Sequence, residues 1–283
     1  MINSGLRYQC SFRAMIEDWR AKWAEGTDGA TNPDLPFGWA QLNSCSNTGV
    51  ASNYQSPVKN VPSEDDPLSA WNSLTAGCQE TGFCGVRWAQ TSALALPNTF
   101  EAVTLDTPVA SGSIHSPFKQ PVGARLARGA LSTAYGQRHT LSPVVASVTK
   151  HHNYMGQEGA ATIVVTVGGL GPNPPWPLEI RNHLGFEVLT KDGVWQSTPI
   201  KSSEGVALTL DAANATDGLA LRYLWYTTPC GVQPYRCTVY AQVPALRGLS
   251  GELSFLPLGP FIVQLPPNGS GSATRTVPRT SDE

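Results

Sequence analysis

Apolar residues recur with a helical period near the start of the chain. Successive members lie three or four residues apart: Phe12, Met15, Ile16, Trp19 and Trp23. This spacing places them on one face of an α-helix. Ser11 can cap the amino terminus of that helix and Gly26 can end it, so the pattern predicts a helix over residues 11–25.

Strand-like and helix-like segments alternate over the next hundred residues. The apolar runs 36–42 and 100–105 are typical of buried strands, whereas 86–96, which ends before Pro97, and 117–135, which ends at Gly136, have helical patterns. We expect the apolar face of the last helix to consist of Val122, Leu126, Ala130, Leu131 and Tyr135. This order indicates an α/β layered fold, and two parallel strands do not make a domain, so residues 1–138 are expected to be part of a larger one.

The pattern changes to a period of two residues after position 138. Short strand candidates, separated by Gly, Pro, Asn and Asp, occupy 144–149, 161–167, 178–180, 186–189, 206–210 and 219–225. Their spacing favours an antiparallel β-sandwich domain over residues 139–265. Residues 266–283 are rich in Gly, Ser, Thr and Pro, and we expect a disordered tail there.

Composition narrows the possible partners. The 283 residues carry a net charge of −2 and only 14% are charged, so the chain lacks the basic surface that binds nucleic acid or anionic membranes. It also contains no uncharged apolar run approaching the roughly 20 residues that cross a bilayer. We therefore expect neither nucleic-acid binding nor a membrane-spanning segment.

The cysteines point to an oxidising compartment, although their number alone fits buried thiols equally well. Cys230 and Cys237 enclose a short loop, as do Cys78 and Cys84, and both pairs are spaced too widely for the usual structural zinc pattern. Disulfides are favoured over a metal site. Two triplets that begin at Asn214 and Asn268 match glycosylation sites, yet residues 1–7 contain no apolar signal segment. We therefore expect the natural amino terminus to lie upstream.

His115 is the candidate catalytic residue, because it lies between a predicted strand and a predicted helix, where α/β folds place functional residues. From position alone, a solvated loop histidine is the favoured alternative. The pair His151-His152 fits surface positions better than a metal site, and the pair Asp65-Asp66 fits a solvated turn. His139 and His183 have no partner pattern. No serine-nucleophile motif, phosphate loop or dinucleotide fingerprint accompanies His115. Four tryptophans fall on predicted core faces, where packing is favoured over stacking on a sugar: Trp19, Trp23, Trp39 and Trp88.

Several ordered strings resemble the sialate O-acetylesterase family. They include Tyr8-Gln9-Cys10-Ser11-Phe12, Ile16-Glu17-Asp18-Trp19-Arg20, Pro36-Phe37-Gly38, Arg87-Trp88-Ala89-Gln90, Gly112-Ser113-Ile114-His115, Lys119-Gln120, Ala134-Tyr135-Gly136, Leu221-Arg222-Tyr223 and Pro260-Phe261-Ile262. The resemblance covers residues 7–265 in the same order, and it is to the C-terminal part of that family only.

The resemblance implies an SGNH-like three-layer α/β/α hydrolase domain, of which this chain holds the later strands and helices, followed by a β-sandwich. It implies removal of O-acetyl groups from sialic acids by serine-hydrolase chemistry, without a cofactor, in lysosomes or the secretory route. His115 matches the family's catalytic histidine and would be the general base. Asp106 is a candidate to orient it. The alternative is a serine/histidine dyad assisted by a backbone carbonyl or by Ser113.

The family's nucleophilic serine would lie upstream of Met1, so we expect this chain alone to be inactive. Its expected partners are an O-acetylated sialic acid, or a related acetylated sugar, and the N-terminal half of the same enzyme. The alternative function is a non-catalytic carbohydrate-binding or scaffolding β-sandwich beside an inert truncated hydrolase part. A third possibility is that the chain does not fold alone, because an open half-sheet exposes its edges.

Overall fold

The computed structural model describes residues 5–44, 83–109, 113–152, 161–171, 175–212, 218–226, 228–230, 233–246, 253–265 and 272–274. Three helices and two strands come first: α1 (Gly5–Gly26), β1 (Phe37–Ala40), α2 (Phe83–Ser92), β2 (Thr99–Ala102) and α3 (Lys119–Tyr135). A 3₁₀ turn, Ala93–Ala95, extends α2 up to the residues before Pro97. The predicted helix, strand, helix, strand, helix order is confirmed.

The two strands pair in parallel, with Phe37 opposite Thr99 and Ala40 opposite Ala102. One face of this pair contacts α1, where Phe12 packs edge-on against the ring of Trp39. The other face contacts α3 across Phe100. A side chain at Gly129 would overlap the Phe100 ring, so the absence of a Cβ there lets the helix approach the sheet. Helices therefore lie on both faces of the two-stranded sheet.

Two predicted faces are wrong in part. Trp19 and Trp23 were expected in the core but are 51% and 59% exposed, whereas Ile16 of the same helix is fully buried. The buried residues of α3 are Arg125, Arg128 and Gly129, none of which belongs to the predicted apolar face. Tyr135, the last residue of that predicted face, is exposed. The spacing of apolar residues cannot predict that these arginines are buried, because their hydrogen-bond acceptors belong to other elements of the fold.

The remaining strands form antiparallel sheets. They are β3 (Val144–His152), β4 (Ala161–Gly168), β5 (Leu178–Ile180), β6 (Phe186–Leu189), β7 (Trp195–Ser197), β8 (Ile200–Glu204), β9 (Ala207–Asp211), β10 (Ala220–Tyr223), β11 (Val239–Pro244), β12 (Leu253–Pro257), β13 (Phe261–Gln264) and β14 (Ser272–Thr274). Their orders are β13-β10-β6-β7, β12-β11-β5 and β14-β3-β4-β9-β8. Strand β4 alternates buried and half-buried residues along its length, as expected of a strand with one face in the core.

The described chain is therefore mostly β-strands in several antiparallel sheets, with few helices. All six predicted strands of this part are present, and β14 lies within the segment that was expected to be a disordered tail. Val103 and Leu105, which follow β2, lie in the same core cluster as the β-strands. The α/β part and the β-rich part thus share packed interior, and the predicted boundary at residue 138 stays a prediction. Within the described residues, the helices are too short or too polar to cross a membrane.

Candidate active site

The segments that follow β1 and β2 leave the sheet at the same edge, because the two strands are parallel. Hydrogen bonds join the two segments: the hydroxyl of Thr104 donates to the carbonyl of Gln41 at 2.6 Å, and the amide of Asn43 donates to the carbonyl of Thr107 at 2.8 Å. The carboxyl edge of parallel strands is where α/β folds place functional residues. These hydrogen bonds hold the start of the segment that leads from β2 to His115.

Asp106 is fully buried at this edge and forms an ion pair with Arg125 of α3. Two parallel bonds join the carboxylate to the guanidinium, at 2.6 and 2.7 Å, and the hydroxyl of Tyr240 donates to the same carboxylate at 3.1 Å. Burial would lower the pKa of Arg125, but the charge of Asp106 outweighs it and the pKa is raised. The ion pair and the Tyr240 hydrogen bond fix α3 against both the loop after β2 and strand β11.

Arg87 makes a second connection from α2. It is buried and donates to the carbonyls of Leu42 and Asn43, which follow β1, and to the carbonyl of Tyr226 in the β-rich part, all within 2.8 Å. A planar guanidinium with five donors suits this task, because it can bind several acceptors without leaving its own plane. The carboxyl edge of the sheet is therefore held from both sides.

His115 lies in the loop before α3 and is exposed. Its backbone N–H donates to the hydroxyl of Ser113 at 3.0 Å, and the N–H of Phe118 donates to the hydroxyl of Ser116 at 3.1 Å. Two such side-chain turns give the loop a defined shape. In the part of the chain that the structure describes, the imidazole ring has no hydrogen bond, so both nitrogens are open to an incoming group. An exposed imidazole of this kind can accept and return a proton.

The structure does not join the candidate orienter to the histidine. Both carboxylate oxygens of Asp106 are bonded to Arg125, and no hydrogen bond to His115 is present among the described residues. The Ser113 hydroxyl accepts from a backbone group rather than from the ring. The choice between an acid-assisted triad and a dyad therefore stays open, while Asp106 has a clear structural role of its own.

The cysteine predictions are confirmed in part. Cys230 and Cys237 form the predicted disulfide. Cys84 is also disulfide-bonded, but Cys78 lies outside the described residues, so that pairing stays a prediction. The glycosylation candidates Asn214 and Asn268 and the pair Asp65-Asp66 also lie outside the described residues.

The other described histidines contact groups of the chain or lie on its surface. The His183 ring contacts the carbonyl of Ile200 at 2.8 Å, the His139 ring contacts the side chain of Gln137 at 3.1 Å, and His151 is exposed. Among the described residues, no group of three His, Cys, Asp or Glu side chains is placed to hold a metal ion.

The sequence analysis missed the arginines that hold the site. Arg125 and Arg128 are three residues apart on the side of α3 that also carries Gly129, and this small residue was a usable signal that the polar side faces the sheet. The acceptors of Arg87 lie 44 to 139 residues away in the sequence. Nothing local to that helix indicates them.

Comparison with known proteins identifies relatives. Residues 172–264 match the family model of the sialate O-acetylesterase C-terminal domain. The sialate O-acetylesterases of Mus musculus and Homo sapiens are each 28% identical to this chain, over 278 and 284 residues, covering 93% of it. The chain is similar to the sialate O-acetylesterases over most of its length. The resemblance seen in the sequence strings is thus confirmed along nearly the whole chain.

The chain spans less than half the length of these sialate O-acetylesterases, 42% of the mouse protein and 44% of the human one. The crystal structure of a carbohydrate acetylesterase from Xanthomonas citri superposes with a TM-score of 0.61, covering 91% of this chain and 46% of that one. At 22% sequence identity this likeness shows a shared fold. The described architecture is therefore an arrangement already known from an acetylesterase.

Proposed function

We propose that this chain is the histidine-bearing part of an esterase that removes O-acetyl groups from sialic acids or related acetylated sugars. The observation that carries the proposal is the exposed imidazole of His115, in a shaped loop between β2 and α3 in the chain. The relatives support the chemistry: sialate O-acetylesterases match 93% of the chain, and the structural neighbour is a carbohydrate acetylesterase.

His115 acts as general base in this proposal. It takes the proton from a serine hydroxyl as the oxygen attacks the acetyl carbonyl, and returns that proton to the sugar oxygen as the ester bond breaks. Water then attacks the acetyl-enzyme by the same route, releasing acetate and restoring the serine. Asp106 acts at a distance, because its ion pair with Arg125 anchors the helix that follows the histidine loop.

The nucleophilic serine and the donors of the oxyanion hole are supplied, in this proposal, by the N-terminal half of the same enzyme. The length of the relatives beyond the matched region supports this division. Helices on both faces of the parallel strand pair are consistent with an SGNH-like α/β/α domain completed by further strands. The Cys230–Cys237 disulfide supports a lysosomal or secreted location, where such bonds persist.

Labelling with a fluorophosphonate probe, which reacts with activated serines, tests this assignment. In the full-length gene product we expect labelling of a serine outside these 283 residues. His115→Ala should abolish it, because the serine then loses its base, whereas His139→Ala should leave it unchanged. Labelling of a serine within the 283-residue chain, or unchanged labelling of His115→Ala, would contradict the proposal.

A second candidate is a non-catalytic carbohydrate-binding module in the β-rich part. The match to the family's C-terminal domain favours it, since residues 172–264 lie wholly within that part. Glycan binding that survives His115→Ala, in a full-length product that releases no acetate, would support this candidate over the esterase.

A further inference from the structure

A cleft of about 480 Å³ opens between strand β5 and the disulfide loop. Its lining consists of Glu179, Ile180, Arg181, Pro234, Tyr235 and Arg236. This volume is within the range of small-molecule sites, which run from about 300 to 1,000 Å³. Most such sites are lined by apolar side chains, whereas this lining is rich in charged and polar groups, so a hydrophilic occupant fits it better.

The floor of the cleft is held in place before any ligand arrives. The Arg181 guanidinium lies 4.1 Å from the centre of the Tyr240 ring and 4.6 Å from that of Phe255, and it pairs with Glu179 at 2.8 Å. Gln242 donates to the other oxygen of Glu179 at 3.0 Å. Burial would raise the pKa of Glu179, but these hydrogen bonds and the Arg181 charge outweigh it and lower the pKa. The carboxylate therefore stays ionised as a fixed acceptor.

The rim presents an aromatic ring and an available cation. Tyr235 is 40% exposed and has a φ of 59°, an uncommon backbone conformation for a tyrosine, in the loop closed by the Cys230–Cys237 disulfide. Arg236 is exposed and has no ion pair within the described residues. Counting Glu179 as −1 and Arg181 and Arg236 as +1 each, the lining carries a net charge of +1. The unmatched positive charge belongs to Arg236.

The cleft adjoins the segment that contains Asp106. The backbone N–H of Tyr235 donates to the carbonyl of Asp106 at 2.8 Å, and the hydroxyl of Tyr240, which lies beneath Arg181, donates to the Asp106 carboxylate. A sugar in the cleft would therefore sit beside the segment that leads from β2 to His115.

We propose that this cleft is a sugar-binding site that selects a carboxylate-bearing ring, with Arg236 binding the carboxylate and Tyr235 packing against the apolar face of the ring. Glu179 accepts hydrogen bonds from ring hydroxyls, and the disulfide holds the loop so that little ordering is needed on binding. The significance of the site for ester cleavage rests on the proposed function, but the binding itself does not.

Calorimetric titration of the 283-residue chain tests the site directly. The probes are the methyl glycoside of N-acetylneuraminic acid and the methyl ester of the same compound, which lacks the charge. We expect the acid to bind at least about tenfold more tightly than the ester, because a charge-assisted bond to Arg236 is lost. Equal binding of acid and ester, or no binding of either, would overturn the proposal.

Variants test whether Arg236 is the residue that binds the carboxylate. Arg236→Ala should weaken binding of the acid by about tenfold or more and remove the difference between acid and ester, while Arg236→Lys should keep part of both. Arg138→Ala, which removes an equally exposed arginine elsewhere, is the matched control and should bind like the parent. If Arg236→Ala binds the acid as the parent does, the site is wrong. Failure of serine labelling with intact acid binding would instead refute only the proposed esterase function.

Discussion

Buried arginines, in addition to apolar side chains, connect the α/β part of this molecule to its β-rich part. Arg87 and Arg125 are both almost inaccessible to solvent, and each binds acceptors contributed by both parts. Their positive charge is tolerated because each guanidinium donates hydrogen bonds to three or more oxygens. Sequence alone suggests Asp106 as an orienter because it is the nearest acid upstream of the histidine. The structure adds its ion pair with Arg125, 19 residues further on, and the orienting role stays a prediction.

Removing the Asp106 carboxylate should therefore destabilise the fold. Asp106→Ala leaves Arg125 buried without its counter-charge, and we expect a loss of about 3–5 kcal/mol in the free energy of unfolding. Asp18→Ala breaks the exposed pair with Lys22 on α1 and should cost less than about 1 kcal/mol. Urea unfolding of both variants checks this. Equal losses would show that the buried pair contributes no more than a surface pair.

At the scale of elements, the close approach of α3 to the strand pair depends on glycine. A Cβ at Gly129 would overlap the Phe100 ring, whereas a Cβ at Gly123 of the same helix would meet nothing within 4 Å. Both positions gain helix propensity on substitution with alanine, by about 1 kcal/mol. The two sites thus separate the packing effect from the propensity effect.

Gly129→Ala should destabilise the protein by a net amount of about 1–2 kcal/mol, because overpacking outweighs the gain in propensity. Gly123→Ala should stabilise it by up to about 1 kcal/mol. Thermal unfolding of the two variants under the same conditions gives the comparison. A stabilising Gly129→Ala would mean that α3 does not rest on Phe100 as described.

The positions of the helices and strands along the chain were largely predictable from the sequence. Which side of each helix is buried was not. Strands β5 and β6 match their predicted bounds, because each is a short apolar run bounded by glycine or proline and polar residues. Helix α1 begins at Gly5 rather than at Ser11, and Tyr8 stacks on Phe12 in the added turns. The buried side of α3 and the exposure of Trp19 depend on what the helices pack against, which periodicity does not contain.

The site was predictable only through family resemblance. Position alone favoured a solvated loop for His115, and the exposed ring fits that interpretation as well as a catalytic one. The ordered strings that resemble sialate O-acetylesterases made His115 a candidate general base, and that role stays a prediction. The cleft at Arg236 had no sequence signal beyond the short disulfide loop, because its other wall comes from a strand more than fifty residues earlier.

For the whole molecule, buried tyrosines predict a loss of stability in alkali. Burial raises the pKa of Tyr223 and of Tyr240, and the charge of Asp106 raises that of Tyr240 further. A folded-state pKa above that of the unfolded chain gives stability that is complete below about pH 10 and is lost as the pH rises beyond it. Urea unfolding between neutral and alkaline pH should show this fall. Tyr240→Phe should reduce it, and an unchanged slope in that variant would contradict the assignment.

The proposed function depends on His115 acting as the general base of an acetylesterase. Acetate release from an O-acetylated sialic acid by the full-length gene product measures it most directly. We predict that His115→Ala lowers kcat by about 10²- to 10⁴-fold with the fold intact, while His139→Ala has the activity of the parent. A His115→Ala enzyme that releases acetate at the parental rate would contradict the account.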